Sequence, residues 1–214
     1  MGLFGLFDKK KCLVCGSKSS PLTQYKLLDY SYICTDCKNK CSPELHSADF
    51  ASKSPATIKE HIAYKKDNDV KYKNEFKETA SITRGSEKWS KKIWAVDEEN
   101  GWWVNLTYDA PDLFTFKQVV RWEIDIDTSY LTDQDKLRNI DYNSGRPDIK
   151  EIPPCPQGKK IDKMRMRIYV EHPWIKMVKI PLIDSSVAFD QKDIENGYAA
   201  GEKLVEAFKK YTGK

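Results

Sequence analysis

Nothing in the 214-residue sequence approaches the run of roughly 18 apolar residues that a membrane-spanning helix needs. The apolar opening, Met1 to Phe7, is too short for a secretory signal core and gives way to Asp8 and Lys9 to Lys11. Leu6 stands where an N-myristoylation signal carries Ser or Thr. A cytoplasmic address is therefore the expectation, and the sequon at Asn105-Leu-Thr107 loses its usual meaning. Histidine is also scarce: His46, His61 and His172 are scattered, and His172 precedes Pro173 at an expected turn. There is no His-Glu-x-x-His, no Gly-x-Ser-x-Gly and no phosphate-binding glycine loop, so an enzyme is not expected. A large charge of one sign is missing too. The net charge is +4, carried by residues 1–80 with 14 Lys+Arg against 10 Asp+Glu; the remaining residues hold 22 of each. That excess is well short of the footprint of a dedicated nucleic-acid binder.

What the chain does have is cysteine in a pattern. Cys12-x2-Cys15 and Cys34-x2-Cys37 are separated by eighteen residues, a zinc-site spacing. A two-residue gap lets a tight turn aim two thiolates at one ion about 2.3 Å away, and two such turns complete a tetrahedron. Gly16 suits the positive φ that such a turn requires. Disulfides would need an oxidising compartment, and a redox Cys-x-x-Cys would stand beside a βαβ pattern. Zn²⁺ held by four thiolates has a closed shell, so the expected role is structural. Cys41, one helical turn after Cys37, and His46 are spare donors whose simpler reading is packing. Cys155, between prolines, is read as unpaired.

Between the pairs, residues 24–28 and 30–33 read as two short strands, and residues 35–41 as a short helix stopped by Pro43. Knuckle, hairpin, knuckle and helix make a treble-clef or zinc-ribbon module over residues 1–46. Residues 47–80 read as a linker, with a helix opening at Ser54-Pro55 or Thr57-x-x-Glu60 and running from 55 to 66 or on to 77. Ile58, Ile62, Tyr72 and Phe76 are its expected apolar stripe, and its lysines a solvated face.

From residue 81 onward the pattern is β. Residues 92–96 and 102–107 flank an Asn100-Gly101 turn, 113–116 form a short strand, and Val120, Trp122, Ile124 and Ile126 alternate with charged residues. Residues 164–170 and 176–183 add two strands, the last confined to an edge by Pro181. Residues 191–211 form an amphipathic helix on Ile194, Tyr198, Leu204, Val205 and Phe208. The whole is an α+β plan: an antiparallel pleckstrin-homology-like sheet or barrel plugged by its C-terminal helix, with residues 128–160 as a long excursion.

Glu123, Asp125 and Asp127 share one strand face, which can seat a hard cation, but no glycine-punctuated ligand loop accompanies them. Trp102 and Trp103 face opposite ways on a strand, so one is expected outside the core, either as a candidate partner-binding anchor or covered by the linker helix or the zinc module. Phe4 and Phe7, with Leu6 and the lysines behind them, are candidates for a partner or a membrane surface.

Met-Gly-Leu-Phe, the lysine cluster, Cys-Leu-Val-Cys-Gly and Tyr-Ile-Cys-Thr-Asp-Cys together resemble a bacterial four-cysteine family of unknown function to which zinc binding is ascribed. The resemblance is specific over residues 1–43 and looser over the following helix, residues 109–116 and Trp122-Glu123. It implies Cys12, Cys15, Cys34 and Cys37 as ligands, a pleckstrin-homology-like or similar partner domain, and an origin in Gram-positive bacteria or their phages. Cys41 and the 128–160 insertion depart from the simplest pattern. The family supplies no activity. The expectation is a non-enzymatic binding or adaptor protein whose partner is another protein. A membrane surface reached through the N-terminus is the alternative, and weak nucleic-acid binding by the zinc module is disfavoured.

Overall fold

Hydrophobic alternation and turn chemistry set the elements seen in the computed structural model, which describes residues 10–20, 23–85, 90–184 and 190–214. The chain divides into two compact units. Residues 1–75 with Ala110–Leu113 form the first, and Phe76–Asp109 with Phe114–Lys214 the second.

In the first unit, β1 (Lys10–Lys11) pairs antiparallel with β2 (Lys18–Ser19), and β3 (Gln24–Lys26) with β4 (Tyr32–Cys34). The second hairpin turns through Tyr30, at a left-handed φ of 63°. Helix α1 (Thr35–Asn39) follows and ends before Pro43. Two helices complete the unit, α2 (Ser47–Phe50) and α3 (Pro55–Glu75). Ser54 Oγ accepts the Thr57 amide at 3.2 Å, so of the two N-cap choices the chain uses Ser54 with Pro55 behind it. Leu27, Ile33, Phe50 and Ile58 are buried and form the apolar centre of the unit.

Helix α3 departs from expectation. It groups with the first unit instead of linking two others. Its buried positions are Ile58, His61, Lys65 and Asn68, whereas Ile62 and Tyr72 are only half-buried and Phe76 lies beyond its end. The cause is what the helix packs on. Its inward face meets the polar backbone of residues 110–113 and Ser42, so donors and an acceptor serve better there than alkyl groups. Lys65 is thus a correction to the reading of these lysines as a solvated face.

In the second unit β5 (Ala80–Arg84), β6 (Lys91–Asp97), β7 (Trp102–Asn105) and β8 (Leu113–Thr115) form a four-stranded sheet in chain order. No apolar alternation announces β5, because Ile82 is its one large apolar residue. Strands β9 (Val119–Tyr130), β10 (Lys159–Val170) and β11 (Met177–Asp184) form a three-stranded antiparallel sheet in the order β11-β10-β9. Pro181 lies on edge strand β11 beside a register shift, where its missing N–H is tolerated. The alternation of β9 is displaced at its start: a bulge lets Val119 face inward and leaves Val120 exposed, contrary to expectation. The described strands thus make two separate sheets without barrel closure.

Helix α5 (Gln191–Thr212) is capped by Asp190 and ended by Gly213 at φ 69°. Its buried face contains all five residues read from the sequence, Ile194, Tyr198, Leu204, Val205 and Phe208. Phe208 meets the rings of Trp94, Trp103, Phe116 and Trp122 at centroid distances of 5.3–6.0 Å, an aromatic cluster shared by strands of both sheets. The excursion, residues 131–158, contains helix α4 (Asp133–Leu137) and docks onto α5. Tyr198 Oη donates to the Tyr142 carbonyl at 2.8 Å, and Tyr142, Ile152 and Cys155 are buried.

Candidate metal centre

Each half of the four-cysteine site is built by a different local device. In the first knuckle the Gly16 amide donates to the Cys12 carbonyl and the Cys12 amide to the Ser17 carbonyl, each at 2.8 Å. Gly16 closes this turn at φ 79°, a conformation that a side chain would strain. The Leu13 amide donates to the Tyr32 carbonyl at 3.0 Å and ties the knuckle to β4. The second pair rides on α1, with Cys34 at its N-cap and Cys37 within it.

These devices bring the four sulfurs together. Cys12 Sγ lies 3.7 Å from Cys37 Sγ, Cys15 Sγ lies 3.6 Å from Cys34 Sγ, and all four lie within 4.8 Å of one another. A disulfide would require about 2.05 Å. Sulfurs at the corners of a tetrahedron around zinc, each about 2.3 Å from the metal, lie about 3.8 Å apart. The four cysteines are free and can hold a metal ion of that kind.

The surroundings favour ionised sulfur unequally. Burial pushes the Cys12 thiol up, but the backbone N–H groups of Cys15, Cys34 and Val14 outweigh it and hold it below its ordinary value. The hydroxyl and amide of Ser17 bring exposed Cys15 down to about 6. Burial raises both Cys34 and Cys37. The fold thus eases ionisation of Cys12 and Cys15 and opposes it at Cys34 and Cys37, where a bound cation would favour the charged form.

The spare donors stay outside. Cys41 is buried, its Sγ 3.5 Å from the Cys37 carbonyl, and burial pushes its thiol up to about 11. His46 is exposed and opens α2. Among the described residues the metal cluster contains neither. Cys155 is buried and free, with Sγ 3.4 Å from the Lys159 carbonyl.

The other singled-out residues fall elsewhere. Trp103 is fully buried and stacks on Phe114 at 4.8 Å, so it is no surface anchor; Trp102 is half-exposed. Phe4 and Phe7 lie outside the described residues. Glu123, Asp125 and Asp127 pair with Arg121, Arg165 and Arg167 at 2.6–2.9 Å, and Tyr169 Oη donates to Glu123, which makes the row an ion-pair ladder. His172 is buried in a turn, where its Nδ1 accepts the Trp174 and Ile175 amides.

A polar cluster that sequence reasoning missed lies on α3. Lys65 Nζ donates to Asp69 at 2.6 Å and to the carbonyls of Ala110 and Pro111 at 3.0 and 3.1 Å, with Asp112 at 3.5 Å. The Ser42 hydroxyl donates to Asp112, and the Ser42 amide donates to His61 Nε2 at 3.0 Å. Its only trace in the sequence is that Ile58, His61, Lys65 and Asn68 recur at helical spacing.

Residues 10–61 match the model of a domain of unknown function, DUF4428. The match spans all four cysteines and ends within α3, short of the residues 109–123 that shared in the looser resemblance. No curated protein and no solved structure matches the chain. Among the described residues no helix is long and apolar enough to cross a membrane.

Proposed function

We propose that this chain is a non-enzymatic binding or adaptor protein whose first unit is a treble-clef or zinc-ribbon module folded around one structural Zn²⁺ held by Cys12, Cys15, Cys34 and Cys37. The observation that carries this reading is the sulfur geometry: four sulfurs within 4.8 Å of one another complete a tetrahedron and leave no position for water or substrate. Zinc in such a shell supplies cross-linking and charge, and the chain's own contribution is the set of N–H and hydroxyl donors around Cys12 and Cys15. Four- and three-stranded antiparallel sheets with a C-terminal helix support a pleckstrin-homology-like reading of the second unit.

The test is metal content. Protein purified without added metal is expected to contain one zinc per chain by elemental analysis. Cys34→Ser/Cys37→Ser is expected to lose it while the Trp-rich second unit keeps its near-ultraviolet circular dichroism. A full-length protein that binds no zinc when refolded with it, or that turns over substrate in an unbiased activity screen, would overturn the reading.

A further inference from the structure

Three large apolar side chains project into water around the metal-centre hairpin: Leu13 is 47% exposed, Leu28 62% and Tyr30 74%. Single exposed apolar residues are ordinary, but these three belong to one hairpin and the knuckle hydrogen-bonded to it. Leu28 and Tyr30 flank the β3–β4 turn, and Leu13 is tied to Tyr32 of the same hairpin by its amide. Tyr30 also holds the left-handed region, which a bulky residue occupies at a cost and which Gly or Asn would fill more easily.

Lysines surround it. Lys26 Nζ sits 4.2 Å from the centroid of the Tyr30 ring, and Lys10 Nζ sits 4.2 Å from that of Tyr32. Lys11 lies directly opposite Lys18 on the β1–β2 ladder, an unfavourable like-charge pair that a bound anion would relieve. All four lysines are exposed, and among the described residues none has a carboxylate within 4.0 Å. The one acid at the turn, Asp29, is occupied by the Ser31 amide at 3.1 Å and the Ser31 hydroxyl.

We propose that this hairpin tip and knuckle dock the protein on an anionic lipid bilayer. Leu13, Leu28 and Tyr30 would enter the interface, and Lys10, Lys11, Lys18 and Lys26 would meet the headgroup phosphates. Leucines offer nothing to a nucleic-acid phosphate or base edge. A protruding turn gives an acidic peptide no groove. An aromatic and two aliphatic tips backed by lysines suit the bilayer interface, where the stems lie along apolar surface and the ammonium groups reach the headgroups. This surface gives the binding-protein reading a partner and rests on the first unit being folded around its metal.

The experiment is flotation of the full-length, zinc-containing protein with phosphatidylcholine vesicles, with and without phosphatidylserine, at low and high salt. Flotation is expected with phosphatidylserine vesicles at low salt, weakened by salt and by pure phosphatidylcholine. Leu28→Asp/Tyr30→Gly, which keeps every cysteine, is expected to weaken it at least about tenfold, as loss of two buried apolar groups requires. Lys11→Glu/Lys18→Glu is expected to weaken it by about fivefold or more for each charge removed. It also serves as the deciding variant should the first lose zinc. Zinc content measured on the same samples separates failure of the docking surface from failure of the metal reading. Zinc-loaded protein that never floats would overturn the proposal. So would flotation unchanged in both variants, or tighter binding to a single-stranded oligonucleotide lost in the same variants.

Discussion

Lys65 keeps only 5% of its side-chain surface and Asp112 none, so this pair has exchanged water for each other, Asp69, Ser42 and two carbonyls. Burial pushes the Asp112 carboxyl up, while Lys65 and the Ser42 hydroxyl oppose it. Lys65→Met strands a buried acid and is expected to cost about 3–5 kcal/mol in urea unfolding. His172 makes a separate, pH-dependent contribution. Burial, and then Lys176, bring its pKa down to about 4. Its folded pKa is thus below the unfolded value of about 6.5, and the unfolded chain takes up the proton first as pH falls. Stability from this group is intact at pH 7 and falls by roughly 3 kcal/mol on the way to pH 4. His172→Asn keeps an acceptor for the Trp174 and Ile175 amides but cannot titrate, so it is expected to flatten that limb of the stability–pH curve. Tyr30→Gly removes left-handed strain of about 1–2 kcal/mol and adds glycine's entropic cost of about 0.5–1 kcal/mol, so chemical denaturation is expected to show no loss of stability. At this scale the cysteines were legible because metal spacing is local in sequence. The Lys65 cluster was not, since apart from Asp69 its acceptors lie 45 and 46 positions downstream and no local pattern announces them.

Among the elements, α5 was legible almost to its ends, because five apolar residues recur at helical period and Asp190 and Gly213 cap it. What the period hides is how closely it lies on β11. A Cβ at Gly197 would overlap Ile183 Cγ1 and approach Ile183 Cδ1 to 2.8 Å and the Leu182 carbonyl to 3.2 Å, whereas one at Gly201 would meet nothing nearer than 3.2 Å. Alanine improves helix propensity by about 1 kcal/mol at either site. Gly201→Ala is therefore expected to be near neutral, while Gly197→Ala is expected to lose about 1–3 kcal/mol to overpacking. Thermal unfolding of the two variants side by side checks the order. Strand β9 teaches the complementary point: its alternation was readable, but the bulge that exchanges Val119 for Val120 depends on β10, a partner far along the chain.

For the molecule as a whole, the sequence pattern changes after residue 80, whereas the two compact units divide after Glu75. Residues 110–113 run from the loop after β7 into the first residue of β8, yet they group with the first unit. Residues 1–75 expressed alone would lack the carbonyls and carboxylate that receive Lys65. They are expected to melt at lower temperature, and to surrender zinc faster to a chromogenic chelator, than the same residues in the full chain.

That borrowed segment also imposes a schedule during synthesis. A polypeptide leaves the ribosome from its N-terminus, so all four cysteines emerge before Lys65 and before residues 110–113. Lys65, however, must wait for Pro111, 46 positions later, which at about 5–20 residues per second is several seconds of translation. During that interval the inward face of α3 presents His61, Lys65 and Asn68 to whatever is near. With zinc in the four-cysteine site, as proposed, its supply at the moment of translation would then bear on how much of the chain reaches its native state.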